Sequence, residues 1–279
     1  MSKQHSWLVT GCSTGFGRFI ATHLLERGER VIVTARNAEQ VRDLADLGEA
    51  LILPLDVTDA EQAKAVVAQA ERLFGSVDVL VNNAGIGYFA AVEETDPQSA
   101  RRLFEVNFFG SANMIHAVLP GMRQRGRGMI VNLTSIGGLA GFPAVGYYCA
   151  SKFALEGLSE TLRAEVEPLG IGVMTVEPSA FRTEWAGSAT QVSESIADYD
   201  ATAGQARRAY DASIGRQEGD PARAAAAIYS AVTAAQPPQR LLLGNRAVDV
   251  AMGKLSAMQT EFRTWERVSR GADFPLPEA

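Results

Sequence analysis

Between Ser6 and Ala35 a glycine-rich turn separates two apolar runs, and this arrangement restricts the fold more than any other feature of the chain. The first run is Ser6-Trp7-Leu8-Val9-Thr10, followed by Gly11-Cys12-Ser13-Thr14-Gly15-Phe16-Gly17. Phe16, Phe19, Ile20, Leu24 and Leu25 then recur at near-helical spacing, with Gly28 as a stop. Arg30-Val31-Ile32-Val33-Thr34-Ala35 is a short β-branched run. Strand, turn, helix and strand within about thirty residues is the size of a βαβ unit.

The alternation continues along the chain. Strands are expected at 50–53, 77–81, 128–133, 171–176 and 240–243, and helices at 59–74, 97–125 (one long or two), 147–168 and from Asp220-Pro221 onward. The 59–74 helix shows an apolar stripe of Ala63, Val66, Val67, Ala70 and Phe74, with Thr58 or Asp59 as its cap. Runs such as Val79-Leu80-Val81 are apolar throughout, which suits a parallel sheet covered on both faces. The expected fold class is therefore α/β, a doubly wound parallel sheet of the Rossmann type. One catalytic domain, 1–244, would include a lid at 183–219 that lacks strong structural signals, with 245–279 as a helical tail of the same domain ending in Pro275 and Pro277.

Composition narrows the partners. The 279 residues carry 26 basic and 32 acidic side chains, a net charge of −6, which argues against nucleic acid as a partner. Two cysteines, Cys12 and Cys149, exclude a disulfide framework, and three histidines without ligand spacing give no reason to expect a metal. No secretion signal or membrane span is expected, which points to a cytoplasmic protein.

Glycines between a strand and a helix let the backbone approach a pyrophosphate, and the helix N-terminus offers free N–H groups to it. The spacing Thr10-Gly-x-x-x-Gly15-x-Gly17 resembles the cofactor motif of the short-chain dehydrogenase/reductase family. Further motifs of that family fall in order: Asn82-Asn83-Ala84-Gly85, Asn107, Ser135, Tyr148-Cys-Ala-Ser-Lys152, and Pro178 to Thr183. The resemblance spans 6–243, and Thr-Gly-Cys-Ser-Thr-Gly-Phe-Gly is distantly similar to members acting on hydroxysteroids and retinoids. It departs from the family at Ser179, where glycine is usual.

The resemblance implies a nicotinamide dinucleotide held by Gly11, Ser13, Thr14, Gly15, Phe16, Gly17, Asp56, Val57, Asn83, Ala84, Gly85, Tyr148, Lys152, Pro178 and Thr183. Ala35 stands where an NAD-preferring member usually has an acid, and Arg36 follows it; a guanidinium suits a 2′-phosphate. NADP(H) is the expected cofactor, with NAD(H) possible. Tyr148 and Lys152, four apart on a helix, share one face, and a nearby ammonium lowers a phenol's pKa. Tyr148 is then the general acid/base, Ser135 orients the reacting oxygen, and by resemblance Lys152 with Asn107 resupplies the proton. The expected reaction is hydride transfer between NADP(H) and the carbonyl or secondary alcohol of an apolar small molecule. Ser135, Gly137, Phe142, Val145, Tyr148, Phe181 and Trp185 are its expected contacts, with Tyr88, Phe89 and Leu139 as further candidates. Family resemblance also implies a homodimer or homotetramer. Three alternatives stay open: an NAD-dependent alcohol dehydrogenase, a lyase or epimerase on the same scaffold, and a non-catalytic NADP-sensing regulator.

Overall fold

A computed structural model describes residues 4–188, 190–191 and 194–274. The chain runs β1 (Ser6–Val9), α1 (Gly15–Glu26), β2 (Arg30–Ala35), β3 (Ala50–Pro54), α2 (Ala60–Phe74), β4 (Val79–Asn82), β5 (Tyr88–Phe89), α3 (Pro97–Phe104) and α4 (Gly110–Arg125). It continues through β6 (Gly128–Leu133), α5 (Gly146–Val166), β7 (Ile171–Pro178), α6 (Trp185–Ser188), β8 (Thr190–Gln191), α7 (Gln205–Ser213), α8 (Pro221–Val232), β9 (Arg240–Leu243) and α9 (Asn245–Arg270).

Seven strands form one parallel sheet in the order β3-β2-β1-β4-β6-β7-β9. From β1 the chain winds outward to β3, then returns to lay β4 on the other side of β1. The loops after β1 and β4 therefore diverge, and a cleft opens at the carboxyl ends of these strands.

Alternate residues of each strand feed opposite cores. Trp7, Val9, Val31, Val33 and Val81 pack with Ile20 and Leu24 of α1 and Ile228 of α8. Leu8, Ile32, Leu80 and Ile130 pack with Val66 and Val67 of α2, Met114 and Val118 of α4, and Leu162 of α5. Both faces are covered, which explains why the strands read as unbroken apolar runs.

Local chemistry sets the helix starts. Asp59, one of the two candidate caps, accepts from the N–H groups of Glu61 and Gln62, and Asp220 does the same for Ala222 and Arg223. The 97–125 stretch is two α-helices joined by a π-helical turn, Glu105–Phe109, with Asn107 inside it.

The expectation of an unstructured 183–219 is corrected over much of its length. β8 pairs with β5, and α7 is anchored by Arg207, which forms a 2.5 Å ion pair with the fully buried Glu94 carboxylate. Glu94 also accepts from the N–H of Ala91 at 2.7 Å and of Ile196 at 2.9 Å. The tail is helical as expected, although Pro275 and Pro277 lie outside the described residues.

Candidate active site

A cleft of about 760 Å³ follows the carboxyl edge of the sheet. One end is formed by the glycine turn. Gly11 and Gly15 hold φ values of +71° and +58°, in the left-handed region. A Cβ at Gly17 would run into the Gly11 carbonyl and the Asn83 amide, so glycine there lets α1 close against the β4 loop. Asn83 fixes that loop by donating to the carbonyls of Thr10 (2.8 Å) and Gly11 (3.0 Å).

The free N–H of Gly15, first residue of α1, donates to the Glu184 carboxylate at 3.2 Å. The terminal N–H thus points out of the helix towards a negative group, and the residues present fit a dinucleotide pyrophosphate. Ser13, Thr14 and Phe16 line the same end, and Ala84 and Gly85 lie beneath it. Farther out the cleft passes Ala35, Arg36, Gln40, Asp56, Val57 and Arg102. Asp56 accepts from the Thr58 hydroxyl (2.7 Å) and N–H (3.0 Å). These bonds hold its carboxyl below the usual range, with Arg102 and Arg36 adding to the effect. Arg102, which no local sequence signal marks, thus joins Arg36 as a second cation at this end.

The middle of the cleft holds the reacting groups. The side chains of Ser135 and Tyr148 lie together beside Gly137, and Ser135 Oγ accepts from the Gly137 N–H at 3.0 Å. Lys152 Nζ lies 5.8 Å from the Tyr148 ring centroid and donates to the Leu133 carbonyl at 2.8 Å. Burial lowers the Lys152 ammonium from 10.5 to about 8. The expected lowering of the Tyr148 pKa is corrected: desolvation raises it, and the bond from Ser135 offsets only part of that rise.

Asn107 does not line the cleft. It is fully buried, accepts from the Ile86 N–H at 2.8 Å, and donates to the Ile86 carbonyl at 3.0 Å and Ser151 Oγ at 3.1 Å. In this structure its side chain splints the β4 loop to the helix that carries Tyr148 and Lys152.

The other end is aromatic. Trp185 lies 5.0 Å from Tyr148 and 5.7 Å from Phe89, and Phe89 lies 4.8 Å from Tyr210, between ring centroids. Phe142, Val145 and Cys149 complete this cluster. Phe181 packs 5.0 Å from Phe16, on the side of the glycine turn rather than among these residues. Leu139 packs beneath α9, and the Tyr88 hydroxyl donates to Asp96 at 3.4 Å, so neither joins the cluster. Tyr210, Ser213, Gln217 and Arg246 also line the cleft. They come from segments whose sequence carries no motif.

Pro178 and Thr183 border the cleft, with Ser179 between them. The Ser179 side chain fills the space where a Cβ on Gly244 would sit, and Gly244 has a φ of +91°. Serine is therefore accommodated by a glycine on the neighbouring strand end.

A family model described as short chain dehydrogenase matches residues 6–193. The chain belongs to the short-chain dehydrogenase family. The chain is 36% identical over 266 residues to Oxidoreductase BOA17 of Botryotinia fuckeliana, covering 94% of the chain and 97% of that protein. It is 37% identical over 201 residues to 17-beta-hydroxysteroid dehydrogenase type 1 of Homo sapiens, covering 66% and 60%. A short-chain dehydrogenase structure from Streptomyces avermitilis is 45% identical, with a TM-score of 0.91 and coverage of 98% and 100%. Solved structures similar to this chain hold NADP in some cases and NAD or NADH in others. Among the described residues, no helix is long and apolar enough to cross a membrane.

Proposed function

We propose that this dehydrogenase interconverts the carbonyl and secondary alcohol of an apolar small molecule with NADP(H), using Tyr148 as general acid/base. The observation that carries the reading is the Ser135–Tyr148 hydroxyl pair beside Lys152, between an anion-binding helix end and an aromatic wall.

The dinucleotide, when bound, supplies or accepts the hydride at the reacting carbon. Its pyrophosphate would lie on the N-terminus of α1, and Arg36 with Arg102 would face a 2′-phosphate. Ser135, whose oxygen accepts from Gly137, would turn its hydroxyl proton from Tyr148 to the substrate oxygen. Tyr148, kept protonated by burial, gives that oxygen a proton during reduction and takes one back during oxidation. The Lys152 ammonium restores the phenol proton and stabilises negative charge beside it. Phe89, Phe142, Trp185 and Tyr210 exclude water and take the apolar body of the substrate. Support for NADP(H) over NAD(H) is the pair of cations at the outer end, opposite a single carboxylate, Asp56, already bonded to Thr58.

A panel of ketones and secondary alcohols, followed by NADPH absorbance, tests the activity. The Tyr148→Phe protein should lose at least about 100-fold in kcat, the size of a general acid–base contribution, while binding NADPH normally. Undiminished turnover in that variant would overturn the assignment.

A further inference from the structure

Behind the cleft lies a second set of ionisable groups that the proposed reaction leaves unused. Glu156 is one helical turn beyond Lys152 on α5 and is 6% exposed, while Glu177, near the end of β7, is fully buried. Each carboxyl is held by a threonine: Thr134 donates to Glu156 Oε1 at 2.6 Å, and Thr175 to Glu177 Oε1 at 2.5 Å. The other oxygen of Glu177, Oε2, is buried and has no hydrogen-bond donor among the described residues, while that of Glu156 is in ion-pair range of the Arg240 guanidinium. The two side chains nevertheless lie within hydrogen-bonding reach of each other. Two buried carboxylates facing one another need a proton or a cation between them, because each alone is only an acceptor, and of the two only Glu156 is in ion-pair range of Arg240.

We propose that Glu177 holds a proton on its unpartnered oxygen against the Glu156 carboxylate, and that this pair sets the charge of Lys152 from behind the site. The second half of the proposal rests on the catalytic reading of Lys152. Burial, and then the neighbouring Glu156, push the Glu177 carboxyl up, against the lowering bond from Thr175. Glu156 in turn favours the charged form of Lys152. The charged groups around the pair are Lys152, Glu160 and Arg163 on α5 and Arg240 on β9. Arg240 lies 3.5 Å from Glu156 Oε2 and 2.8 Å from Glu160 Oε2. Thr134 also links the pair to Ser135, its chain neighbour. Glu156 and Glu177 are thus positioning residues, acting on Lys152 and Ser135 without touching substrate. When the shared proton leaves, one negative charge is added behind Lys152 and its ammonium persists to higher pH.

The Glu177→Gln change keeps the shape and a donor toward Glu156 but removes the titration. Difference infrared spectra of the full chain should show a protonated-carboxyl band at neutral pH that is absent in Glu177→Gln. The alkaline limb of the kcat profile in that variant should move down by about one pH unit, the effect of one nearby charge at moderate effective dielectric. Absence of the band in the wild type overturns the shared proton. A band with an unmoved limb overturns control of Lys152, as does an equal loss of kcat at every pH in Glu177→Gln and Glu177→Ala. Failure of the catalytic reading is read separately, as full activity of Tyr148→Phe, and leaves the infrared result standing.

Discussion

Single residues decide the chemistry of the cleft, and several do so through what they leave free. Arg36 forms no ion pair among the described residues, so its guanidinium is available at the outer end. Replacing Arg36 with Ala should raise the KM for NADPH by roughly 10-fold or more, the loss of about 1.5–3 kcal/mol of charge-assisted bonding, and leave the KM for NADH nearly unchanged. Steady-state kinetics with both cofactors checks this. Lys152 titrates near pH 8, against 10.5 for a free lysine, so carbonyl reduction should decline as pH rises through about 8. A depressed lysine pKa means the folded chain favours the neutral form. The stability cost is therefore full below pH 8 and disappears as pH rises towards 10.5. At Gly244 an alanine would meet the Ser179 side chain at a positive φ, and should cost about 1–3 kcal/mol in urea unfolding. The paired Ser179→Gly, Gly244→Ala protein should recover the part of that loss caused by the clash.

At the scale of elements, the cleft depends on how helices and loops are pinned. The π-helical turn at Glu105–Phe109 holds Asn107 where it can splint Ile86 to Ser151. Nothing in the spacing of apolar residues announces that turn, because its neighbours on both sides remain helical. The Glu94–Arg207 pair is the corresponding fixture for α7. Burial opposes the Glu94 charge, but the N–H groups of Ala91 and Ile196, with Arg207, outweigh it and keep its carboxyl below the usual range. Its contribution is therefore complete above the unfolded-state pKa and is lost as pH falls through the lower folded value. Glu94→Ala strands a largely buried guanidinium, so α7 should lose protection in hydrogen exchange and the KM of an apolar substrate should rise. The expected stability loss is about 3–5 kcal/mol. Protection of α7 matching the wild type would remove Glu94 as its anchor.

Over the whole molecule, the sheet and the two cores beside it form the load-carrying body, and α9 leaves it. Ala247 and Ala251 are buried against Ile136, while from Gln259 to Arg270 every residue is exposed. Ending the chain after Met258 should change the unfolding free energy by no more than about 0.5 kcal/mol, as for other surface changes, measured by urea titration. The alternation of strand and helix, the glycine turn, a cap at Thr58 or Asp59, and the pairing of Tyr148 with Lys152 were legible in the sequence, and family resemblance added Ser135 to that pair. What the residues alone show depends on local spacing: short apolar runs, a period of 3.6, a φ only glycine tolerates, or a fixed offset on one helix face. Tertiary structure alone decided that Arg102 joins Arg36, that Tyr210 and Arg246 reach the cleft, that Phe181 packs on Phe16, and that Gly244 makes room for Ser179. It also decided that burial raises the Tyr148 phenol rather than leaving it lowered. The reason is common to all of these: contacts between residues distant in sequence, and the desolvation they impose, depend on how the completed sheet folds its loops together.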